Sequence, residues 1–259
     1  MNDKVSGPIG LEQKLGAMRN GGKFSSIINF IIGIRDYFRR VIQVVFFKTI
    51  IRKIKNTGPV TDPEEMFRLA SRGWFGSISP IQSKYEFVSL LRKLQENTIS
   101  RVLEIGTASG GTLFMYTRVA EQDATIVSVD LPGGDFGGGY PEKKIPLYSS
   151  FALPEQRLEL IRADSHLQET LDQVKNIFDG KFVDYAFIDG DHTYEGVKSD
   201  FEMYGPLVRD GGFVAFHDTI YAEGVKRFWQ EISEEYENTW EWISAHDPKY
   251  GIGLLQIKR

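Results

Sequence analysis

Between residues 101 and 236, short apolar segments rich in β-forming residues alternate with helical patterns, and this alternation constrains the fold more than any other feature. Strand followed by helix, repeated in this way, is typical of a parallel sheet covered by helices on both faces. We therefore predict an α/β fold with a doubly wound, mostly parallel sheet. The predicted strands are Arg101–Ile105, Thr125–Val129, Leu158–Arg162, Val183–Ile188 and Gly212–Phe216. The predicted helices lie near Thr112–Ala120, His166–Asn176, Tyr194–Leu207 and Gly224–Tyr236.

The flanking segments extend this domain in both directions. Asp62 followed by Pro-Glu-Glu predicts a helix start, because the aspartate is a capping residue and the proline and acids suit the first turn. Residues 81–94 predict a second helix that leads into the sheet. Residues 240–258 predict a terminal hairpin that completes the sheet. We assign residues 58–259 to this domain.

The residues before the domain differ in composition. Residues 1–22 contain no apolar run and predict a flexible lead. Residues 23–57 predict a basic amphipathic helical arm, since apolar side chains recur at steps of three and four and residues 23–55 hold eight Lys or Arg against one acid. Two interpretations stay open. Either the arm packs on the domain or on a second subunit of a homo-oligomer, or residues 23–55 make peripheral contact with an anionic membrane.

Composition excludes several classes of function. The chain has no cysteine, which removes disulfides, thiolate metal sites and cysteine nucleophiles and suits a reducing compartment. The net charge of −4 argues against nucleic acid as a partner, because nucleic-acid binding is associated with a basic surface. Residues 1–22 lack the apolar core of a signal peptide. We therefore expect a cytoplasmic protein, membrane-associated if the arm binds lipid.

Ligands of open parallel sheets bind beyond the carboxyl ends of the strands, so the residues after each predicted strand are the candidate site. A glycine-rich turn follows the first strand, where glycines allow a sharp bend and a close approach to a ligand. Its spacing is E-x-G-x-x-x-G, and Ala108 stands where a nicotinamide-binding loop requires glycine. The candidate cofactor contacts in this turn are Glu104, Gly106, Thr107, Gly110 and Gly111.

Acidic residues follow the second and third strands. Asp130 is placed to accept hydrogen bonds from the ribose hydroxyls of an adenosine ligand, although dinucleotide enzymes also use an acid here and the aspartate also suits a turn. Asp164 and Ser165 either contact the ligand or cap the next helix. The long Gly-rich segment between these two strands indicates a lid or binding loop, with a floppy insertion as the alternative. In it, Tyr140 and Tyr148 are candidates to stack on a sugar or an aromatic ring.

The fourth strand is followed by Asp189-Gly-Asp-His192, and the fifth by His217-Asp218. The ordered set of strand-end motifs resembles class I S-adenosylmethionine-dependent methyltransferases. The last two motifs resemble the O-methyltransferase branch that includes macrocin and mycinamicin sugar methyltransferases and, more distantly, catechol O-methyltransferase. The resemblance covers roughly residues 100–219. It implies a Rossmann-like seven-stranded sheet and S-adenosylmethionine as the cofactor. It also implies O-methylation of a sugar or other polar small molecule, lipid-linked if the arm binds membrane.

The resemblance also implies roles for individual residues. The glycine turn accommodates the methionine part of the cofactor, and Asp164 meets the adenine amino group. His192 is the general base, a role that suits a group titrating near neutral pH, and Asp189 is the second candidate catalytic residue. The relatives hold a divalent ion at positions that Asp189 and Asp218 match, whereas His217 replaces an acid.

The departure at His217 leaves the metal open. Mg²⁺ prefers oxygen ligands, whereas imidazole suits Mn²⁺, Zn²⁺ or Fe²⁺. We therefore carry Asp189, His217 and Asp218 as the candidate metal ligands, with Mg²⁺ or Mn²⁺ as the ion. Without a metal, Asp189 would contact the cofactor amine.

Two other functions remain as alternatives. One is a nicotinamide-dependent oxidoreductase, against which stand Ala108 and the lack of an obvious Tyr-x-x-x-Lys pair. The other is a non-catalytic, cofactor-binding partner subunit, against which stand His192 and Asp189.

Overall fold

The structure, a computed structural model, describes residues 46–73, 77–133, 138–246 and 248–259. The chain forms two compact units, residues 1–49 and 50–259, and of the first only residues 46–49 are described. The predicted lead and most of the predicted arm therefore lie outside the described residues. Within the described ranges, no helix is long and apolar enough to cross a membrane.

The described residues form helices and strands that, from residue 101 to residue 235, follow the predicted alternation. The helices are residues 46–55 (α1), Pro63–Arg72 (α2), Lys84–Gln95 (α3), Gly111–Val119 (α4), Ile145–Tyr148 (α5), Gln168–Ile177 (α6), Tyr194–Tyr204 (α7) and Glu223–Glu235 (α8). The strands are Arg101–Ile105 (β1), Thr125–Asp130 (β2), Arg157–Arg162 (β3), Val183–Ile188 (β4), Val208–His217 (β5), Thr239–Trp242 (β6) and Ile252–Gln256 (β7). Short 3₁₀ turns lie at Glu142–Lys144, Ser149–Phe151 and Gly205–Leu207.

The strands form one seven-stranded sheet in the order β3-β2-β1-β4-β5-β7-β6. The first five strands in this order are parallel, and β7 is antiparallel to both β5 and β6. The predicted mostly parallel sheet and its terminal hairpin are thus confirmed. The strand order reverses between β1 and β4, which pair directly. A crevice for a ligand is expected at such a switch point.

Helices on both faces bury the central strands, so every residue of β4 is buried. Successive side chains of a strand point to opposite faces, and aromatic residues fill both of them. One face holds the contacting rings of Phe87, Tyr116, Tyr185 and Phe187. The other holds Phe201, Phe216, Phe228 and Trp229. These two clusters fix the sheet whose carboxyl edge carries the site.

The predicted helix start at Asp62 is also confirmed. The Asp62 side chain accepts a hydrogen bond from the Glu64 backbone N–H, and Pro63 is the first helical residue. The next helix begins later than predicted, at Lys84 rather than residue 81. Ile81 and Gln82 instead belong to an irregular segment, residues 77–83, that turns toward the sheet edge.

A buried carboxylate couples the turn after β3 to α7. Asp200 on α7 is fully buried, and the His166 imidazole lies 3.4 Å from its Oδ1 and 3.2 Å from the Gly196 carbonyl oxygen. Asp164 Oδ1 lies 3.5 Å from the other ring nitrogen. The interaction with Asp200 is the main reason that the pKa of His166 rises to about 9. The charged imidazole thus compensates a buried acid.

This pair makes the stability of the fold pH-dependent. Because the pKa of His166 rises from 6.5 to about 9, its stabilising contribution is complete below pH 6.5 and is lost as the pH rises through 9. We expect the wild-type free energy of unfolding to fall across this interval by on the order of 2 kcal/mol more than that of His166→Gln. Denaturant titrations at several pH values measure this difference. Substitution of the exposed His246 by Gln is the control, and equal pH dependence in wild type and His166→Gln would contradict the assignment.

Candidate active site

The glycine turn after β1 lies where the ends of three strands meet. The Gly106 N–H donates to the Val129 carbonyl of β2, and the Asp189 N–H donates to the Ile105 carbonyl of β1, both within 2.9 Å. Gly106 has a φ of 93°, and a Cβ there would overlap the Asp189 carbonyl oxygen. Only glycine fits this position, and the predicted close-approach turn is therefore present.

The irregular segment 77–83 lies across the start of α4. The Ser109 hydroxyl donates to the Ser79 carbonyl at 2.7 Å, and a Cβ on Gly111 would overlap the Ile78 carbonyl oxygen. Gly110, with a φ of 86°, is in turn covered by the ring of Tyr148. The two glycines thus allow the protein's own segments to pack tightly around the turn.

Glu104 stands behind the turn and links β1, β2 and α4. Its carboxyl oxygens accept hydrogen bonds of 2.6 Å from the hydroxyls of Thr112 and Ser128. Burial raises the pKa of Glu104 to about 8, against the lowering effect of these hydrogen bonds. The Glu104 carboxyl group supports the turn from inside the protein. Its contact with the cofactor stays a prediction.

Asp130, at the end of β2, holds the turn in place. Its Oδ2 accepts from the backbone N–H groups of Thr107 and Ala108 at 2.9 and 2.8 Å, and its Oδ1 accepts from the Leu131 N–H at 2.8 Å. Burial raises the pKa of this carboxyl group. The sequence pattern did not reveal these partners. The predicted ribose contact of Asp130 stays a prediction.

The turn after β3 is held by hydrogen bonds of its own and from α7. Asp164 Oδ1 accepts from the His166 N–H at 2.9 Å, and the Ser165 carbonyl accepts from the Tyr204 hydroxyl at 2.7 Å. Asp164 thus stabilises its own turn, and the N-cap residue of α6 is Leu167. The side chain of Asp164 remains about half exposed at the carboxyl edge of the sheet. Its contact with adenine stays a prediction.

The prediction that Tyr140 and Tyr148 stack on an acceptor is wrong. Both rings are buried, they pack against each other at a centroid distance of 4.8 Å, and the Tyr148 hydroxyl donates to the Ala108 carbonyl at 2.7 Å. The Gly-rich segment therefore anchors itself beneath the glycine turn through its tyrosines. Residues 134–137, within the segment predicted to be a lid or binding loop, lie outside the described residues.

Acids and imidazoles from the ends of β4 and β5 converge beside the glycine turn. Asp189 Oδ1 lies 3.0 Å from His217 Nδ1 and 3.4 Å from His192 Nε2, and His192 Nδ1 lies 3.4 Å from Asp218 Oδ2. The motifs that the sequence placed 25 residues apart thus form one cluster. His192 bridges the two carboxylates and keeps 44% of its side chain exposed.

The charges of the cluster shift one another's pKa values. Burial would raise the pKa of Asp189, but the charge of His217 and hydrogen bonding to both histidines lower it to about 2. Hydrogen bonding to Asp189 raises the pKa of His192. Burial lowers the pKa of His217, but the charge of Asp189 outweighs this and raises it. Burial raises the pKa of Asp218. Asp189 and the two imidazoles therefore stabilise one another's charged forms.

Gln82 is a site residue that the sequence reasoning missed. Its side-chain Nε2 donates to Asp189 Oδ2 at 2.7 Å, across 107 residues of sequence, and the residue is largely buried. It engages one oxygen of Asp189 while the other faces the two imidazoles. A lone glutamine in an irregular segment carries no spacing signal, so only the fold identifies it.

A divalent ion fits part of this cluster. Single ligand atoms of Asp189, His192 and Asp218 lie within 4.8 Å of one another. Asp218 Oδ1 is buried without a hydrogen-bond partner among the described residues. This set contains His192 where the predicted set contained His217. The ring of His217 is buried, and its Nδ1 faces the carboxylates of Asp189 and Asp218. Two carboxylates with an imidazole suit Mn²⁺ or Zn²⁺ better than Mg²⁺.

Comparison with known proteins agrees with this geometry. Residues 103–219 match the protein family described as a methyltransferase domain. The protein y4gI of Sinorhizobium fredii is 30% identical over 139 residues, which are 51% of this chain and only 15% of that protein. The flavonoid 3',5'-methyltransferase of Vitis vinifera is 27% identical over 181 residues, which are 66% of this chain and 71% of that protein.

Solved structures share the fold at low sequence identity. An O-methyltransferase from Bacillus cereus in complex with SAH has a TM-score of 0.51 and 16% identity. The match covers 81% of this chain and 97% of the Bacillus cereus chain. The MycE methyltransferase of the mycinamycin pathway, in complex with Mg, SAH and mycinamycin VI, has a TM-score of 0.51 and 17% identity, covering 78% of this chain and 56% of its own. The sugar methyltransferase branch is therefore one of several similar groups.

The strand order, the glycine turn at the switch point and the family match define the class of this domain. Residues 103–219 match the methyltransferase domain family, and the S-adenosylmethionine-dependent class of enzyme follows from that match. The predicted fold and enzyme class are confirmed.

Gly106→Ala tests the close approach on which the site depends. The added Cβ would displace the backbone of Asp189. We therefore expect the free energy of unfolding to fall by about 3 kcal/mol or more and the affinity for S-adenosylhomocysteine to fall at least about tenfold. Gly180→Ala is the matched control, since Gly180 also has a positive φ, 67°, but open space around it, and we expect a loss of only about 1 kcal/mol there. Denaturant titration and calorimetry measure both quantities. Equal losses in the two variants would contradict the argument.

Proposed function

We propose that the protein transfers the methyl group of S-adenosylmethionine to a hydroxyl of a small molecule. The observation that carries the proposal is the position of His192, half exposed between Asp189 and Asp218 and next to the glycine turn. The O-methyltransferase fold of the Bacillus cereus protein and the flavonoid methyltransferase relative support this class of reaction. The acceptor class that we infer is a sugar or another polar small molecule.

The proposed chemistry is an in-line displacement at the sulfonium methyl group. The acceptor oxygen forms the new bond to the methyl carbon as the bond from that carbon to sulfur breaks, and S-adenosylhomocysteine leaves. The protein positions the hydroxyl and removes its proton. His192 takes that proton. Asp189 and Asp218 orient the ring of His192 and stabilise its charged form.

A metal would be held by Asp189, Asp218 and an imidazole. When bound, such an ion lowers the pKa of a coordinated hydroxyl and orients it. The Mg of the MycE structure belongs to that protein, and the donor set here favours Mn²⁺ or Zn²⁺. If His192 is a ligand, it is unavailable as the base. The metal role and the base role of His192 are therefore alternatives that experiment separates.

A nicotinamide-dependent oxidoreductase is the weaker alternative. Ala108 adopts a φ of 42° at the position where a pyrophosphate loop requires glycine, and its carbonyl is engaged by Tyr148. Calorimetry with S-adenosylhomocysteine and NAD separates the two functions. Binding of NAD without binding of S-adenosylhomocysteine would overturn the proposal.

We propose that the basic arm, residues 23–57, is the segment that binds a second subunit or a membrane surface. Eight Lys or Arg in residues 23–55 suit either a second subunit or an anionic lipid surface, and the latter would favour a lipid-linked acceptor. Flotation with anionic vesicles, with and without residues 1–57, distinguishes the two. Full-length protein that fails to float rules out the membrane contact.

His192→Ala tests the proposed base. We expect the rate of methyl transfer to a panel of hydroxylated small molecules to fall by about 10²- to 10⁴-fold, because no base then removes the proton of the hydroxyl that is methylated. Affinity for S-adenosylhomocysteine should remain close to that of the wild type. His246→Ala is the control, since His246 is exposed and outside the cluster. Near-normal turnover in His192→Ala would remove this residue as the base.

Asp218→Asn tests the proposed ion site. We expect the wild type to bind Mn²⁺ more tightly than Mg²⁺ by calorimetry, and the variant to lose at least about tenfold in Mn²⁺ affinity, because a charged oxygen ligand is replaced by a neutral one. Asp172→Asn, on the exposed face of α6, is the control. A wild type that binds neither ion and keeps full activity after exhaustive chelation would eliminate the metal.

A further inference from the structure

We propose that His166, anchored by the buried Asp200, is a positioning residue that orients the Asp164 carboxylate and so makes the site select a cofactor with an adenine base. The proposal rests on the proposed function, because it concerns the cofactor contact that is predicted for Asp164. His166 and Asp200 lie outside the glycine turn and outside the cluster at the ends of β4 and β5.

Asp164 uses one carboxylate oxygen within its own turn and leaves the other available. Its Oδ1 accepts a hydrogen bond from the His166 backbone N–H at 2.9 Å and lies 3.5 Å from the His166 Nδ1. Among the described residues, none donates a hydrogen bond to its Oδ2, and the side chain is about half exposed. The second oxygen can therefore accept from a ligand at the carboxyl edge of the sheet, where ligands of this fold bind.

The His166 ring is held from the opposite side by α7. Its Nε2 lies 3.4 Å from Oδ1 of Asp200 and 3.2 Å from the Gly196 carbonyl oxygen. Asp200 is fully buried, and within the described part of the chain neither of its carboxylate oxygens has a hydrogen-bond partner. A buried carboxylate without other donors requires a positive partner, and the imidazole of His166 supplies it.

The charged imidazole is the form that serves both acids at once. It carries an N–H on each ring nitrogen, whereas the neutral ring carries only one. Asp200 favours the charged form and raises the pKa of His166 to about 9, so both nitrogens are protonated at neutral pH. Nδ1 then faces Asp164 while Nε2 faces α7. The buried carboxylate of Asp200 thus acts on the exposed carboxylate of Asp164 through one ring.

Adenine is the base that an oriented carboxylate selects. Its exocyclic amino group donates a hydrogen bond, and a carboxylate oxygen is a strong acceptor for such a bond. Hypoxanthine carries a carbonyl oxygen at the same position, which cannot donate and is repelled by the carboxylate. A site built to make a hydrogen bond rejects an analogue that lacks the partner group. A freely rotating carboxylate discriminates less, because it must first be ordered when the ligand binds.

The experiment measures base selectivity by calorimetry in the full-length protein, at about pH 7.5, where a histidine of ordinary pKa is mostly neutral. The probes are S-adenosylhomocysteine and S-inosylhomocysteine, which differ only in the amino or carbonyl group of the base. We expect the wild type to bind the adenosine compound at least about tenfold more tightly. Asp164→Ala, which removes the carboxylate, should bind the two compounds with similar affinity.

The variants separate positioning from stability. His166→Ala removes the ring, and Asp200→Asn leaves it neutral, so each should lower the selectivity at least about threefold. Asp200→Asn leaves no uncompensated buried charge, so it gives a result even if His166→Ala fails to fold. Tyr204→Phe is the matched control. It removes the hydrogen bond of 2.7 Å to the Ser165 carbonyl in the same turn but spares Asp164 and His166, so it should keep the wild-type selectivity.

The proposal is overturned if the wild type does not prefer S-adenosylhomocysteine, if His166→Ala and Asp200→Asn keep the wild-type selectivity, or if Tyr204→Phe lowers it as much as they do. Failure of the proposed methyl transfer would leave a different result. In that case the preference for adenine is present and depends on His166, yet no methylated product forms.

Discussion

The close approach of β1 and β4 at Gly106 is the constraint on which the rest of the site depends. No side chain fits there, because a Cβ would overlap the Asp189 carbonyl oxygen, and hydrogen bonds at Ile105 and Val129 hold the three strand ends together. The glycine turn and the first acid of the cluster are therefore built by the same contact. The turn that the sequence predicts as a cofactor contact thus also fixes the backbone from which Asp189 extends.

From that fixed backbone, electrostatics organises the cluster. Asp189 would be costly to bury as an isolated charge, but Gln82, His192 and His217 surround it and its pKa is lowered to about 2. His217, which stands where the resemblance to sugar methyltransferases led us to expect an acid, thus has a physical role as a buried hydrogen-bond partner of Asp189. Of the two imidazoles, that of His192 is the partly exposed one and that of His217 is buried.

Much of this architecture was predictable because it depends on local patterns. Strand and helix periodicity predicted the sheet, Asp62 predicted a helix start, and the spacing of polar residues after strands predicted the edge at which the site lies. Predictions about side-chain partners were weaker. Tyr140 and Tyr148 are buried rather than available for stacking, and Asp130 is engaged by backbone amides. Such contacts join distant segments, and no local spacing encodes them.

The sequence by itself determined the class of fold, the glycine turn and the identity of the acids and imidazoles at the strand ends, because each follows from side-chain periodicity or backbone freedom within a few residues. The tertiary structure alone decided which of these groups meet. It placed Gln82 on Asp189, made His192 the bridge between Asp189 and Asp218, and stacked Tyr250 on His217. The physical reason is that hydrogen bonding and packing act over a few ångströms in space, between residues that the sheet brings together from far apart in the chain.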